Sequence, residues 1–152
     1  MKWIFGLVVA LASLTACAQT TTIEETAPFE ELADGSCKSA ESRLVQEHIS
    51  GQISALSKED WESAYSFAAP GFQENVGLDQ FIFVITTQYQ MLISNESVEY
   101  GACDIAKEKI SQKVTVTSGN EIYKLDYSLS VISKKLGIES ASVTSAEPQV
   151  ST

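Results

Sequence analysis

The chain has 152 residues, 44% of them hydrophobic, and it carries 20 acidic against 10 basic side chains, a net charge of −10. This length fits one modest globular domain, and the acidic surplus excludes a nucleic-acid binder, which needs a basic surface. Three cysteines and one histidine are too few for the usual Cys/His zinc cluster, and no CxxC spacing occurs. We therefore expect no metal and no cofactor.

The N-terminus carries an export signal. Lys2 precedes an apolar run over residues 3–14, which is typical of a secretory h-region and too short to span a membrane. Residues 14–17 (LTAC) then resemble the bacterial lipobox, in which the cysteine receives lipid. The sequence predicts a signal peptide over residues 1–16 and lipidation of Cys17. Ordinary secretion with cleavage near Ala16 is the alternative.

Lipidation implies attachment to a membrane from one end. The two or three acyl chains of such a lipoprotein, palmitate among them, give lasting attachment, because each buried CH₂ contributes about 0.8 kcal/mol. Ala18 after the cysteine is similar to the signal for outer-membrane delivery in diderm bacteria. We therefore expect the protein in the cell envelope, on the periplasmic face of the outer membrane if the organism is diderm.

Residues 17–36 are expected to be the lipidated N-terminus and a solvated tether. The segment contains five acidic residues and no basic one, and it has little apolar surface to bury. A docked strand or short helix around residues 29–32 is the alternative.

An α+β domain is expected over residues 37–147, with residues 148–152 as a short tail. Apolar residues at helical spacing predict one helix over residues 40–56 and another from residue 78 to about residue 93. Between them, Ser57 and Asp60 are typical of a capping box that begins a helix over residues 58–68. Pro70-Gly71 is expected to end that helix in a turn.

Strands are predicted after Asn95, where the apolar period changes from 3.6 to 2. Alternation favours strands near residues 98–102, 110–116, 123–131 and 136–144, with a bulge near residues 137–140. The fold class is therefore α+β, with N-terminal helices packed on an antiparallel sheet of about four strands.

Three segments of the chain are similar to the nuclear transport factor 2-like superfamily, a cone-shaped α+β group. They are residues 55–65 (ALSKEDWESAY), 81–89 and 134–143 (KKLGIESASV). The resemblance covers nearly all of residues 40–146 and implies a curved sheet wrapped over helices, with a pocket between them. The group includes isomerases, dehydratases and polyketide cyclases as well as catalytically silent envelope proteins, so the fold does not decide the function.

His48, Tyr65 and Tyr89 are weak catalytic candidates. His48 is the one imidazole, and it lies beside the apolar stripe of the first helix. It is expected either to work as an acid or base in a pocket or only to flank the helix. The tyrosines can pack in the core or line a ligand cavity; they are Tyr65, Tyr89, Tyr100, Tyr123 and Tyr127.

Two cysteines remain once Cys17 carries lipid. In an oxidising envelope, Cys37 and Cys103 are expected to form a disulfide between the start of the first helix and the end of the first predicted strand. An unlinked buried pair and a redox-active cysteine are the alternatives.

Two functions fit these observations. The favoured one is a membrane-anchored envelope lipoprotein whose non-catalytic domain binds a small apolar ligand or a protein partner. Homodimerisation through the open face of the sheet is compatible with this function and with the alternative that follows. The alternative is a pocket enzyme of the isomerase or dehydratase type, with His48 as general base and a tyrosine as proton donor.

Overall fold

The computed structural model describes Phe29 and residues 31–150. The predicted signal peptide, Cys17 and most of the predicted tether lie outside the described residues. The helices are α1 (Ser39–Leu56), α2 (Trp61–Ser66), α3 (Pro70–Asn75), α4 (Leu78–Gln88) and α5 (Gln90–Ile93). The strands are β1 (Gly35–Ser36), β2 (Ser97–Ala106), β3 (Lys109–Ser118), β4 (Glu121–Ile132) and β5 (Lys135–Pro148). This order confirms the α+β fold.

The sheet is antiparallel throughout, and each strand pairs with its neighbour in the chain from β1 to β5. The predicted number of about four strands missed β1, whose two residues pair with Ile105 and Asp104. Two residues are too few for alternation to reveal a strand. Because Phe29 and Leu32 also pack against the core, the tether predicted to extend to Ser36 ends earlier than expected.

Helix α1 forms where the periodicity predicted it, and its buried stripe includes Val45, Ile49 and Leu56. The start of α2 differs from the prediction. Ser57 ends α1 as its C-cap, and Asp60 begins α2, since its Oδ1 accepts a hydrogen bond of 3.2 Å from the Ser63 N–H. Asp60 is therefore the cap itself rather than the third residue of a capping box.

The sequence between α2 and the sheet forms more helices than predicted. Pro70 does not only end a helix; it begins α3 at a position where its missing N–H costs nothing. The single helix predicted from residue 78 to residue 93 is divided at Tyr89, whose backbone has left the helical region. Among residues 31–150, no helix is both long enough and apolar enough to cross a membrane.

The core lies between the helices and the inward face of the sheet. In β4 the predicted alternation is confirmed, because Leu125, Tyr127 and Leu129 are all buried. The predicted bulge in β5 is also confirmed: Ser128 pairs with Ser140 and Leu129 pairs with Ile138, which leaves Glu139 as the extra residue.

A disulfide joins Cys37 and Cys103, whose Cα atoms are 5.4 Å apart. The Cys37 N–H also donates a hydrogen bond of 2.9 Å to the Cys103 carbonyl. The predicted pairing is therefore confirmed, and it attaches the chain just before α1 to strand β2.

Candidate functional site

An apolar cavity of about 200 Å³ lies between the helices and the end of the sheet formed by β4 and β5. Its walls come from α1, α3, α4, α5, β4, β5 and the loops between the helices. Most of its lining is hydrophobic, including Phe72, Val76, Phe81, Val84, Ile85 and Leu92. The lining places an apolar volume next to a small number of polar groups, an arrangement that is typical of ligand sites.

One wall of the cavity depends on a close contact between β5 and the loop that precedes α3. The Ala69 N–H donates a hydrogen bond of 2.8 Å to the Ile138 carbonyl, and the Ile138 N–H donates one of 2.9 Å to the Phe67 carbonyl. A Cβ atom at Gly137 would lie 2.5 Å from the Ala69 Cα atom. Only glycine allows this approach, which brings Ala68 and Ile138 together in the wall.

The bulge in β5 adds polar residues to the cavity. Glu139 and Ser140 line it at the point where the extra residue interrupts the pairing with β4. Bulges interrupt strand pairing in this way and recur next to functional sites. The Glu139 carboxylate forms an ion pair with Lys109, and the hydrogen bond from that ammonium group lowers the pKa of Glu139.

Tyr127 is a lining residue whose buried hydroxyl has no hydrogen-bond partner in the described part of the chain. Its side chain lines the cavity and is 1% exposed, and no group in the described part of the chain makes a hydrogen bond with its hydroxyl. Burial, with the neighbouring Tyr100 and Tyr89, raises the pKa of Tyr127 above its ordinary value. The phenol therefore keeps its proton at neutral pH and can donate or accept a hydrogen bond, but it cannot act as a base.

Two other polar side chains of the lining already have partners. The Tyr89 hydroxyl donates a hydrogen bond of 2.6 Å to the Ala141 carbonyl. Gln52 is buried on α1, and its Nε2 donates a long hydrogen bond of 3.4 Å to the Ala64 carbonyl. Tyr127 consequently differs from these two groups in having no hydrogen-bond partner among residues 31–150.

His48 lies outside the cavity. It lines a more open groove together with Leu44, Phe67 and Lys135. Its Nε2 is 2.9 Å from the Phe67 carbonyl, and a carbonyl only accepts, so the neutral ring carries its hydrogen on Nε2. Burial lowers the pKa of His48, an effect that the hydrogen bond to Phe67 partly opposes.

The three weak catalytic candidates are therefore not brought together. Tyr89 lines the cavity, whereas His48 and Tyr65 are not among its lining residues. The Tyr65 hydroxyl lies 2.6 Å from the Val76 carbonyl and 3.2 Å from the Gln73 carbonyl, so it fixes the loop after α3. Within the part of the chain that the structure describes, no group of three or more His, Cys, Asp or Glu side chains could hold a metal ion.

Sequence reasoning considered Tyr127 only as one of five tyrosines. The alternation of β4 predicted that the side chain of Tyr127 points inward. Whether its hydroxyl has a hydrogen-bond partner depends on residues that are far away in the chain. Gln52, Glu139 and Ser140 were not predicted as site residues. The signal for Glu139 and Ser140 was the predicted bulge near residues 137–140, which placed an irregularity at the edge of the cavity.

Comparison with known proteins gives a family but no characterised relative. Neither the curated proteins nor the solved structures that were compared include a significant match to this chain. Residues 38–149 match the family described as a domain of unknown function, DUF4864. This match covers the helices α1 to α5, the strands β2 to β5 and the cavity between them, and the chain belongs to the DUF4864 family.

Proposed function

We propose that the protein is a membrane-anchored envelope lipoprotein whose domain binds a small apolar ligand in the cavity between the helices and the sheet. The observation that carries the proposal is the predominantly apolar lining of that cavity. The lipobox over residues 14–17 supports the anchor. Helices packed on an antiparallel sheet with a cavity between them support the likeness to the nuclear transport factor 2-like superfamily.

The volume of the cavity limits the size of the ligand. An apolar cavity of about 150 Å³ in another protein stays dry and binds benzene. This cavity, at about 200 Å³, therefore fits a ligand of about one aromatic ring or an equivalent length of alkyl chain. Binding would remove the apolar surface of such a ligand from water, which contributes roughly 25 cal/mol per Å².

The alternative of an isomerase or dehydratase has less support from the geometry. Its proposed base, His48, hydrogen-bonds the Phe67 carbonyl in a groove outside the cavity. The cavity lining includes Tyr127, whose hydroxyl is buried and keeps its proton, and Glu139, whose carboxylate pairs with Lys109 of the exposed face of β3. Neither group is placed to take a proton from a buried substrate.

A protein partner on the open face of the sheet is also less favoured. That face carries ion pairs between adjacent or nearby strands, among them Lys113–Asp126, Lys109–Glu139 and Lys124–Glu147. Such a polar surface is suited to water, whereas the core of a stable interface is depleted in charged residues.

The cavity is tested by binding of toluene to the full chain, measured by ligand-observed NMR and by the shift in melting temperature. We expect toluene to bind the wild type and to lose affinity when Val84→Trp fills the cavity. Phe83→Trp is the matched control, because Phe83 lies next to Val84 on α4, is 64% exposed and does not line the cavity. Equal toluene affinity in both variants, or no binding to the wild type, would overturn the proposal.

The anchor is tested separately in a diderm bacterial host that is grown with labelled palmitate. We expect the wild type to incorporate label and to sediment with membranes, and Cys17→Ala to do neither. Cys103→Ala is the matched control, since it removes a thiol that the fold uses in a disulfide. Label in Cys17→Ala would refute lipidation at this residue.

A further inference from the structure

We propose that the ligand of this cavity is an amphiphile whose apolar part, of about eight carbons, lies inside and whose polar group stays at an opening between α4 and β5. This inference rests on the proposed function and adds the chemical class of the ligand and its direction of binding. The opening is defined by Gln80 on α4 and by Glu139 and Ser140 on β5, which all line the cavity.

The first step is the position of the opening. Gln80 and Ser140 line the cavity and are both exposed, so the cavity meets the protein surface between them. Phe81, Ile85 and Leu92 belong to the same lining, but they are only 5%, 7% and 1% exposed. The cavity therefore combines a hydrated, polar opening with a closed, apolar interior.

The second step is that the polar side chains of the interior are either engaged or sealed. The Tyr89 hydroxyl donates its hydrogen to the Ala141 carbonyl at 2.6 Å. Gln52 is 5% exposed, and its Nε2 donates a hydrogen bond to the Ala64 carbonyl. The Tyr127 hydroxyl has essentially no accessible surface. A polar ligand group carried inside would therefore lose its hydration without an equal replacement, which disfavours that direction of binding.

The third step is what the opening offers to a polar group. The exposed amide of Gln80 and the exposed hydroxyl of Ser140 can donate or accept hydrogen bonds there. The Glu139 carboxylate pairs with Lys109, so these two charges largely cancel. A neutral or an ionised ligand group can stay at this place, because neither has to leave water.

The volume of the cavity sets the size of the apolar part. An apolar cavity of about 150 Å³ in another protein holds benzene, which has six carbons. In proportion, this cavity of about 200 Å³ holds about eight carbons. Octan-1-ol and octanoate, which have eight carbons and one polar end, are therefore suitable probes.

The direction of binding is measured with octan-1-ol on the full-chain wild type. Intermolecular NOEs should place its terminal methyl group against Ile85 and Leu92 and its CH₂OH group against Gln80 and Ser140. Octane-1,8-diol has the same carbon chain and a second hydroxyl, which would have to enter the interior. We expect it to bind at least about tenfold more weakly than octan-1-ol. Equal affinity for the diol, or NOEs in the reverse direction, would contradict the inference.

A charge placed at the opening gives an independent test. The affinities of octanoate and octan-1-ol are measured by NMR titration for Gln80→Lys and Gln80→Glu. We expect the ratio of octanoate affinity to octan-1-ol affinity to be about fivefold higher in Gln80→Lys, because the carboxylate of the ligand would lie beside residue 80.

Gln88→Lys is the matched control. Gln88 is exposed on the same helix, does not line the cavity and lies about 12 Å further along the helix axis. The ratio in this variant should stay within about twofold of the wild type, because water and salt screen a charge at that separation.

The same ratio in Gln80→Lys and Gln80→Glu, or no binding of octan-1-ol to the wild type, would overturn the inference. If toluene still binds the wild type in that case, the proposed apolar site stands. If neither toluene nor octan-1-ol binds, the proposed site fails as well.

Discussion

Two tyrosines show at the residue scale how the same hydroxyl has different consequences in different surroundings. The Tyr65 hydroxyl is 2.6 Å from the Val76 carbonyl and fixes the loop between α3 and α4. The Tyr127 hydroxyl is buried and has no such bond among the residues that the structure describes. The net free energy of a hydrogen bond is modest, but a buried group without a partner costs its full desolvation.

Removal of the Tyr65 hydroxyl should therefore lower stability, whereas removal of the Tyr127 hydroxyl should not. We expect Tyr65→Phe to lower the free energy of unfolding by about 1 kcal/mol, because a hydrogen bond to Val76 is lost. Tyr127→Phe should leave it unchanged or raise it by up to about 1 kcal/mol, since an unpaired polar atom is removed. Urea unfolding of both variants checks this pair, and a larger loss in Tyr127→Phe than in Tyr65→Phe would contradict it.

The pKa of His48 makes a second prediction at this scale. Its folded-state pKa lies below its ordinary value because burial disfavours the charged ring. Below about pH 6.5 the unfolded chain therefore binds more protons at this residue than the folded chain, and stability falls as the pH falls.

The measurement is the free energy of unfolding between pH 7.5 and pH 5.5 for the wild type and His48→Gln. His48 is the one histidine in the chain, so the wild type should lose more stability on acidification than the variant. Parallel curves would show that protonation of His48 does not oppose folding. The lowered pKa values of Asp60 and Glu139 act at more acidic pH and leave this window clear.

At the scale of elements, the contact between β5 and the loop before α3 determines the shape of the cavity. Gly137 allows the Ala69 backbone to lie against the strand, and the hydrogen bonds of Ile138 to Phe67 and Ala69 cover part of the free edge of β5. Covering of this kind also protects an edge strand from pairing with another chain.

Gly137→Ala should break this contact. Its Cβ would lie 2.5 Å from the Ala69 Cα atom, and we expect a loss of about 1–3 kcal/mol in the free energy of unfolding. Gly71→Ala is the control, since nothing lies within 4 Å of a Cβ there and Gly71 is in α3; it should be neutral or slightly stabilising. Equal stability of the two variants in urea unfolding would contradict the role of Gly137.

The elements also show how much the sequence could predict. Helix α1 and strands β3 and β4 have long, regular patterns, and the structure confirms them. Helix α3 is only six residues long and contains a Pro-Gly pair that also fits a turn, so local signals could not separate the two. The break at Tyr89 is not visible in the periodicity, because residues on both sides of it face the same core.

The resemblance to the nuclear transport factor 2-like superfamily predicted that a pocket exists, but it did not predict which residues line the pocket. Its lining comes from α1, three other helices and two strands, and no local pattern reports which side chains meet across such separations. Gln52 and Tyr127 are about 75 positions apart in the chain. Whether their polar groups find hydrogen-bond partners depends on how the surrounding side chains pack, and sequence order does not reveal that.

At the scale of the whole molecule, the disulfide between Cys37 and Cys103 closes a loop with a sequence separation of 66. We expect the double variant Cys37→Ala/Cys103→Ala to lose about 2–4 kcal/mol of unfolding free energy, since a long loop is no longer constrained in the unfolded chain. Urea unfolding of the wild type with and without reductant is the parallel measurement. If reduction does not destabilise the wild type, the bond contributes nothing to folding.

The same bond has a mechanical consequence. The chain ahead of the domain meets it at Cys37, where the backbone hydrogen bond to Cys103, the pairing of β1 with β2 and the disulfide all act together. A pull on the N-terminal segment would therefore pass into β2, a ten-residue strand that pairs along its length with β3, before it could unwind α1. Reduction of the disulfide would turn the same pull into a peeling force, applied to the first turn of α1 and to the short strand β1.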